Sequence, residues 1–260
     1  METFRARHVY YSPTGTSRKI VKAIQSGLGL EYDDIDLTPP ATEKKKHRFS
    51  LKDLAIIAAP VYGGRVASVA ATRLNNIIGN GGPAVLVAVY GNREYEDALL
   101  ELKDITTANG FKPIAAAAFI GEHSFDTPET PIATGRPEED DIQLAKNFGE
   151  KIKTKLDNGL TIVEVPGNYP YRERGDADTR SPETNKRTCT LCGICANVCP
   201  IACIIVSDAV ETNKEECTAC TACVKYCPTG ARHWENDEII KVSKWLSTDY
   251  ANRKEPEFYI

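Results

Sequence analysis

The sequence predicts an α/β protein with a doubly wound, five-stranded parallel sheet, followed by a small α+β domain that contains every cysteine. Two observations support this. Over the first 160 residues, short apolar runs alternate with helical stretches, as in βαβ units. All nine cysteines lie between Cys189 and Cys227. The predicted boundaries are 1–160 for the first domain, 161–187 for a linker that packs loosely at most, 188–235 for the cysteine-rich domain, and 236–260 for a C-terminal helix and polar tail.

The composition is that of an ordinary globular protein, with 42% hydrophobic and 26% charged residues among 260. Every apolar stretch is shorter than ten residues, whereas a membrane-spanning helix needs about 18 or more. The formal charge of −4 gives no reason to expect nucleic acid. No apolar segment of a secretory signal follows Met1, so we expect a cytoplasmic protein without a membrane span.

In the first domain, strands are expected near 8–12, 32–37, 54–61, 84–90 and 114–120. Helices are expected near 18–29, 67–78, 94–108 and 138–156. The longer strands are continuously apolar, which is typical of a sheet covered by helices on both faces. Five such strands fit the flavodoxin-like form of the doubly wound fold, which binds its ligand beyond the carboxyl ends of the strands.

The first predicted strand runs directly into a loop rich in hydroxyl groups, Ser12-Pro13-Thr14-Gly15-Thr16-Ser17. Its hydroxyls, its backbone N–H groups and the start of a helix predict an anion site that needs no cationic side chain. The alternative is a plain strand-to-helix turn with a capping Ser or Thr. No G-x4-G-K-[ST] string occurs in the chain, which disfavours ATP.

The third and fourth strands both end with an aromatic residue followed by glycine, at Tyr62-Gly63 and Tyr90-Gly91. Such ends suit a flat ring that stacks on tyrosine and lies close to the backbone. The alternative is that both tyrosines are half-buried packing residues. Together with the phosphate loop, the strand ends predict an FMN site. The predicted FMN contacts are Ser12, Thr14, Gly15, Thr16, Ser17, Pro60, Val61, Tyr62, Gly63, Gly64, Tyr90, Gly91, Asn92 and Tyr95.

Eight of the nine cysteines form the pattern C-x2-C-x2-C-x3-C-P twice, at 189–200 and 217–228. This is the run of bacterial two-cluster ferredoxins, in which the fourth cysteine ligates the other cluster, so we predict two [4Fe–4S] clusters. Zinc is the alternative, but structural zinc sites use paired C-x2-C hooks with longer spacers. The predicted ligands are Cys189, Cys192, Cys195 and Cys227 for the first cluster, and Cys217, Cys220, Cys223 and Cys199 for the second.

Three other features carry weaker predictions. Cys203 is expected to pack as a small residue beside a cluster, with a spare ligand or a redox-sensing thiol as the alternative. The basic run at 44–48 is expected to be a solvated surface, or else a docking patch for an acidic partner. The long loop 121–137 could be a lid, and its His123 either lies near the flavin or is solvent-exposed or structurally bonded.

Residues 1–160 resemble a flavodoxin domain, because Ser12, Thr14, Gly15 and Ser17 match its [ST]-x-[ST]-G-x-[ST] phosphate loop. Residues 188–232 resemble a bacterial two-cluster ferredoxin. The whole chain resembles the flavodoxin–ferredoxin fusion proteins known as EFR-type ferredoxins of anaerobic bacteria and archaea, through its sequences at 60–66, 90–93, 121–125 and 135–137. This resemblance implies FMN and two [4Fe–4S] clusters, and no particular substrate.

These cofactors predict an electron-transfer protein that relays electrons between FMN and the clusters in anaerobic, low-potential metabolism. Because the clusters add negative charge, we expect redox partner proteins with a basic docking face. One alternative is an FMN-dependent reductase fed by the clusters, with Arg65, Arg93 or His123 orienting a small substrate. Another is an iron–sulfur redox or oxygen sensor. No G-x-G-x-x-G fingerprint supports direct use of NAD(P)H.

Overall fold

The computed structural model of the chain describes residues 4–174 and 180–260, so residues 175–179 of the predicted linker lie outside the described residues. Strands and helices alternate in the first domain, with a short 3₁₀ turn at Pro40–Thr42. Its elements are β1 (Arg5–Tyr10), α1 (Thr16–Leu28), β2 (Tyr32–Asp36), β3 (His47–Arg48), β4 (Asp53–Tyr62), β5 (Arg65–Val66), α2 (Ser68–Leu74), β6 (Ile77–Ile78), β7 (Pro83–Tyr90), α3 (Ala98–Ala108), β8 (Lys112–Ile120) and α4 (Glu139–Asn158).

The second part of the chain contains shorter elements, which surround the cysteines. They are β9 (Glu183–Thr184), α5 (Ile194–Asn197), β10 (Ile204–Val206), β11 (Val210–Thr212), α6 (Ala222–Lys225), β12 (Arg232–His233), α7 (Asp237–Asp249) and β13 (Glu257–Tyr259). Two small antiparallel ladders, β10 with β11 and β9 with β12, complete this domain. In the described ranges, no helix is long and apolar enough to cross a membrane.

The central sheet has its five parallel strands in the spatial order β2, β1, β4, β7, β8. This is the flavodoxin-like order 2-1-3-4-5, which reverses direction between the first and third parallel strands. Helices α1 and α4 pack on one face of the sheet, and α2 and α3 pack on the other. Strand β7 is buried along its whole length, because helices cover both faces. The predicted α/β fold is therefore confirmed.

One helix is shorter than predicted. The helical stretch expected over 67–78 ends at Leu74, and Ile77–Ile78 forms β6, which pairs in parallel with β3. Two asparagines separate these elements, Asn75 and Asn76, and their backbone N–H groups form turn hydrogen bonds to Thr72 and Arg73. Asparagine favours turns over helix interiors, because its side chain competes for backbone hydrogen bonds.

The linker and the tail both pack on the first domain, contrary to the prediction of a loose linker and a polar tail. In the linker, the Val163 N–H donates to Pro113 O at 2.9 Å, and Asp97 accepts from the Arg172 N–H at 2.6 Å. In the tail, β13 pairs antiparallel with β8 as a sixth strand on the main sheet. Phe258 packs there against Phe119, with ring centroids 5.6 Å apart.

Helix α1, which begins at the phosphate loop, crosses α4 at two glycines. A Cβ added at Gly27 would lie 1.9 Å from the Lys146 carbonyl oxygen, and one added at Gly149 would lie 2.1 Å from the Ile24 carbonyl oxygen. Both obstacles are backbone atoms of the facing helix, so they cannot rotate away. Close approach of these two helices therefore requires glycine at both positions.

We expect Gly149→Ala to lower the free energy of unfolding by about 1–3 kcal/mol, because the added methyl group forces α1 and α4 apart. The loss should exceed the gain of about 1 kcal/mol that alanine brings to a helix interior. Anaerobic urea unfolding followed by circular dichroism measures the change. Lys151→Ala, at an exposed position of the same helix, is the control and should unfold at the wild-type midpoint. An unchanged midpoint for Gly149→Ala would contradict this account of the helix crossing.

Candidate cofactor sites

A cleft lies at the carboxyl ends of the parallel strands, where the strand order reverses. Eight of the predicted FMN contacts line this single cleft: Ser12, Thr14, Thr16, Ser17, Pro60, Val61, Tyr62 and Tyr90. The cleft is therefore built from four separate segments of the sequence: the three predicted loops and the start of the loop after β8. The sequence reasoning missed five other lining residues: Pro13, Val89, Gly121, Glu122 and Ser124. Three of these, Gly121, Glu122 and Ser124, follow β8. Their position after the fifth parallel strand is the sequence feature that could have predicted them.

The phosphate loop is shaped to expose hydrogen-bond donors. Gly15 precedes the first residue of α1 with a φ of +86°, and no side chain caps this helix. The first N–H groups of a helix have no intrahelical partner, so they are available to an anion. The Thr14 and Thr16 hydroxyls lie 3.3 Å apart on the same loop. Among the described residues that line the cleft, none is lysine or arginine. An anion in the cleft would therefore be bound by these N–H and hydroxyl groups.

The loop is fixed from both sides. The Ser12 N–H donates to the Thr38 hydroxyl at 2.8 Å, and the Ser12 hydroxyl accepts from the Arg18 N–H at 3.1 Å. The Gly15 N–H donates to the Ser12 carbonyl at 3.1 Å. Since these bonds join the end of β1, the start of α1 and the segment after β2, the donor geometry exists before any ligand binds.

Tyr90 does not offer the stacking face that its position suggests. Its side chain is 4% exposed and packs against the Tyr95 ring at 5.4 Å between centroids. Tyr62 is half-buried and lies beside the second domain. Burial raises the pKa of Tyr62, and the nearby Cys220 thiolate raises it further. Of the two predicted ring-stacking residues, only Tyr62 keeps part of its side chain accessible.

The other predicted FMN residues adjoin the cleft or serve the tail. Gly63 and Gly64, with φ of +59° and +80°, form the turn between β4 and β5. The Asn92 amide donates to the carbonyls of Tyr250 and Asn252 at 2.6 and 2.9 Å, and the Tyr95 hydroxyl donates to Glu257 at 2.8 Å. Asn92 and Tyr95 therefore anchor the C-terminal segment rather than line the cleft.

His123 packs over the fourth-strand loop. A Cβ added at Gly91 would lie 2.2 Å from His123 Cδ2, so the ring contacts this backbone directly. His123 Nδ1 accepts a hydrogen bond from the Phe125 N–H at 3.0 Å. Burial lowers the pKa of His123 to about 4, and the charge of Arg93 contributes to the same shift. The imidazole is therefore neutral at physiological pH and structurally bonded.

The first set of cysteines surrounds one small cavity. Its four thiols are Cys189, Cys192, Cys195 and Cys227, and Arg232 lies in the same cavity wall. Cys195 is buried, Cys189 and Cys227 are half-buried, and Cys192 is exposed. Leu191 beside it is 43% exposed. The side of this set that carries Cys192 therefore faces solvent.

The second set surrounds another cavity, with Cys199, Cys217, Cys220 and Cys223 in its wall, together with Cys203. The four predicted ligands are suitable sulfur donors for a cubane, and Cys203 lies beside them with its Sγ 3.5 Å from Cys199 Sγ. The hydrogen bond between them raises the pKa of the Cys203 thiol and lowers that of Cys199. Cys203 thus stays protonated and donates to a neighbouring sulfur, which supports the packing interpretation.

The second cavity lies against the first domain. The Tyr11 side chain is 1% exposed, and its hydroxyl has no hydrogen-bond partner among the described residues. The Cys220 thiolate raises the pKa of Tyr11, after the larger effect of burial, so the two groups are close. A buried hydroxyl without a partner is costly, and cluster sulfur would supply the missing acceptor. The residues present therefore fit a [4Fe–4S] cluster at this position.

The second domain also reaches the phosphate loop. A Cβ added at Gly15 would lie 3.2 Å from the Tyr226 hydroxyl oxygen. Next to it, the Lys225 ammonium forms an ion pair with Glu122 of the cleft. No local pattern in the sequence pointed to Tyr226 or Lys225, because they lie far along the chain from the strands they meet. The two predicted cofactor regions are thus adjacent in space.

Comparison with known proteins identifies the second domain. Residues 181–228 match the family model of the 4Fe-4S dicluster domain. Two NADH-quinone oxidoreductase subunits I of Rhodopseudomonas palustris match over 69 residues, at 36% identity for strain BisB5 and 32% for strain ATCC BAA-98 / CGA009. Each match covers 26% of this chain, which in turn spans only 40% and 39% of the length of those subunits. The C-terminal domain is a [4Fe–4S] dicluster domain.

Several flavodoxins have structures similar to the first domain. An archaeal flavodoxin is 13% identical with a TM-score of 0.39, over 59% of this chain and 99% of its own. The flavodoxin of Streptococcus pneumoniae TIGR4 is 18% identical with a TM-score of 0.40, over 58% and 98%. A Fusobacterium nucleatum flavodoxin mutant bound to flavin mononucleotide is 15% identical with a TM-score of 0.39, over 61% and 98%. The strand order of the sheet, rather than these overlays, defines the fold here.

Acid is expected to destabilise the cleft loops through His123. Unfolded histidine takes up a proton near pH 6.5, whereas in the fold His123 resists protonation until about pH 4. The stability it confers is full above pH 6.5 and is lost as the pH falls between these values. Between pH 7 and pH 5, wild type should lose about 2 kcal/mol more than His123→Gln in anaerobic urea unfolding. Identical pH dependence in both proteins would show that the ring is not buried as described.

Proposed function

We propose that this chain is an electron-transfer protein that holds FMN in the strand-end cleft and two [4Fe–4S] clusters in its second domain, and that electrons pass between them. One observation carries the proposal. The second cysteine set and the cleft share a boundary, where Cys220 approaches Tyr11 and Tyr62, and Tyr226 meets Gly15. Two redox sites that lie side by side in one chain can exchange electrons without a diffusional encounter.

Each part of the chain has a distinct role in this proposal. FMN would supply exchange of one or two electrons, and each cluster would supply exchange of one. The N–H and hydroxyl donors of 12–17 would bind the flavin phosphate, and the half-buried Tyr62 would contact the ring. The predicted ligands Cys189, Cys192, Cys195 and Cys227 would hold the first cluster, and Cys199, Cys217, Cys220 and Cys223 the second.

The burial of the two cysteine sets supports an order along the relay. The second set abuts the first domain, whereas Cys192 of the first set is exposed beside the apolar Leu191. The second cluster would therefore be the neighbour of the flavin, and the first would exchange electrons with partner proteins. A basic docking face on those partners would suit the negative charge of the clusters. A reducing cytoplasm and anaerobic, low-potential metabolism would keep the eight ligand thiols available for iron.

No observation favours the small-molecule reductase. The Arg65 guanidinium is bound to the Glu101 carboxylate through two hydrogen bonds of 2.9 Å. The Arg93 guanidinium is bound to Glu96 at 2.9 and 3.1 Å. Both guanidinium groups are therefore already paired with carboxylates. His123 accepts a backbone hydrogen bond and packs on Gly91, so its role is structural.

FMN binding is expected to depend on the phosphate loop. Thr14→Ala removes one hydroxyl donor to a dianionic phosphate, and a hydrogen bond to a charged group is worth about 1.5–3 kcal/mol. The dissociation constant for FMN should rise at least about tenfold, measured by quenching of flavin fluorescence. Thr107→Ala removes an exposed hydroxyl of α3, outside the cleft, and is the matched control. Equal FMN affinity for Thr14→Ala and wild type would place the phosphate elsewhere.

Electron exchange between the cofactors is expected to be intramolecular. In an anaerobic titration with less than one equivalent of reductant, flavin and iron–sulfur absorbance should change together. Their equilibration rate should be independent of protein concentration, because both sites belong to one chain. A rate that rises in proportion to concentration would mean that the two sites communicate only between molecules. Failure to bind FMN at all would remove the flavin from the proposal and leave the dicluster domain.

A further inference from the structure

Among the described residues, three arginines are almost completely buried, and two of these lack a carboxylate partner. Arg136, 7% exposed, binds the fully buried carboxylate of Asp141. Arg73 is 2% exposed and Arg232 is 3% exposed, and neither is paired with a carboxylate in the described part of the chain. A guanidinium stays charged in proteins, and burying it without a counter-ion costs several kcal/mol. Two buried cations therefore require an anion that the side chains do not supply.

Arg232 lies between the two cysteine sets. Its guanidinium is part of the wall of the first cavity, together with the four thiols there. The same guanidinium places Nη2 3.6 Å from Cys223 Sγ, in the second set. Its other hydrogen bonds go to the neutral hydroxyls of Thr184 at 2.7 Å and Thr212 at 3.1 Å. Its Nε is buried and has no hydrogen-bond partner within the described residues.

Arg73 approaches the second set from the other domain. It belongs to α2, and its Nη2 donates to the carbonyl of Pro200, directly after Cys199, at 2.6 Å. Its Nη1 donates to the carbonyls of Leu37 and Thr38 at 2.8 and 2.7 Å. All of these acceptors are neutral, and its Nε also has no partner among the residues described. The charge of Arg73 is thus directed to the contact between the domains, beside the second cavity.

We propose that Arg73 and Arg232 are the counter-charges of the iron–sulfur clusters, one from each domain, and that they set the reduction potentials. This inference rests on the proposed cluster sites. An oxidised cubane with four thiolates carries about −2 and its one-electron reduced form about −3, with no bond broken and no proton moved. A fixed positive charge stabilises the reduced form more, so it raises the potential.

The two arginines act differently. Arg232 adjoins both cysteine sets, so its charge raises the potentials of both clusters. Arg73 belongs to the first domain and reaches only the second set, through its hydrogen bond to the Pro200 carbonyl next to Cys199. The potential of the second cluster therefore depends on the seating of the two domains against each other. The cluster next to the flavin is therefore easier to reduce when the two domains are docked than when they are apart.

The test is an anaerobic potentiometric titration of the full-length holoprotein, followed by electron paramagnetic resonance and absorbance. Arg232→Gln should lower both cluster potentials, and Arg73→Gln should lower only one. Each shift should correspond to at least a tenfold change in the ratio of reduced to oxidised cluster, which is about 59 mV for one electron. Arg5→Gln removes the same charge at the amino-terminal edge of β1, far from the cysteines, and should leave both potentials unchanged.

Charge-conserving variants guard against a purely structural effect. Arg232→Lys and Arg73→Lys should keep the full iron content and potentials closer to wild type than the Gln variants. Gln and Lys variants that all titrate at the wild-type potentials would overturn the proposal. So would Lys variants that lose iron as readily as the Gln variants, because charge would then not be the property that matters. Iron content of the wild type separately tests the cluster sites: fewer than two clusters per chain would reject the proposed function itself.

Discussion

The contact between the dicluster domain and the carboxyl edge of the parallel sheet is the feature on which the proposed chemistry depends. Arg73 reaches across it to the Pro200 carbonyl, and Lys225 reaches back to Glu122. The Lys225–Glu122 pair remains partly exposed and contributes little alone, whereas the Arg73 hydrogen bond to the Pro200 carbonyl is buried. The C-terminal segment adds a second tether, because β13 joins the sheet of the first domain after the chain has left the second. The second domain is thus connected to the first at both of its ends.

This closure explains why the cleft and the second cysteine set meet. Parallel strands all end at one edge of a sheet, so their loops gather there, and the reversal of strand order opens a cleft between β1 and β4. The second domain meets this edge with the segments on either side of α6, which carry Cys220 and Tyr226. The exposed Cys192 remains on the first cysteine set, the one that does not abut the first domain. The same docking of the domains therefore places the second cysteine set against the first domain and leaves the first set facing solvent.

Buried guanidinium groups have different partners in different parts of the molecule. In the first domain, Arg136 pairs with Asp141 and Arg65 pairs with Glu101, whereas Arg73 has no carboxylate partner among the described residues. Around the cysteines, the buried guanidinium of Arg232 has hydroxyl and thiol neighbours only. A fold assembled without cofactors would be strained by such an arrangement. Anionic clusters would offset this unpaired charge, so that stability and reduction potential would depend on the same charges.

The sequence by itself determined the parts whose signal is local. Apolar strands alternating with helices specified the doubly wound sheet, and the repeated cysteine spacing specified a dicluster domain, because each depends on residues that are close along the chain. The loop at 12–17 could also be predicted from the sequence, because its conformation depends on its own glycine and hydroxyl groups. Tertiary structure alone decided the rest: the burial of the Tyr90 ring, the use of Asn92 to hold the tail, and the placing of Arg232 between both cysteine sets. These depend on contacts between segments far apart in the sequence, and no local pattern encodes which surfaces will meet.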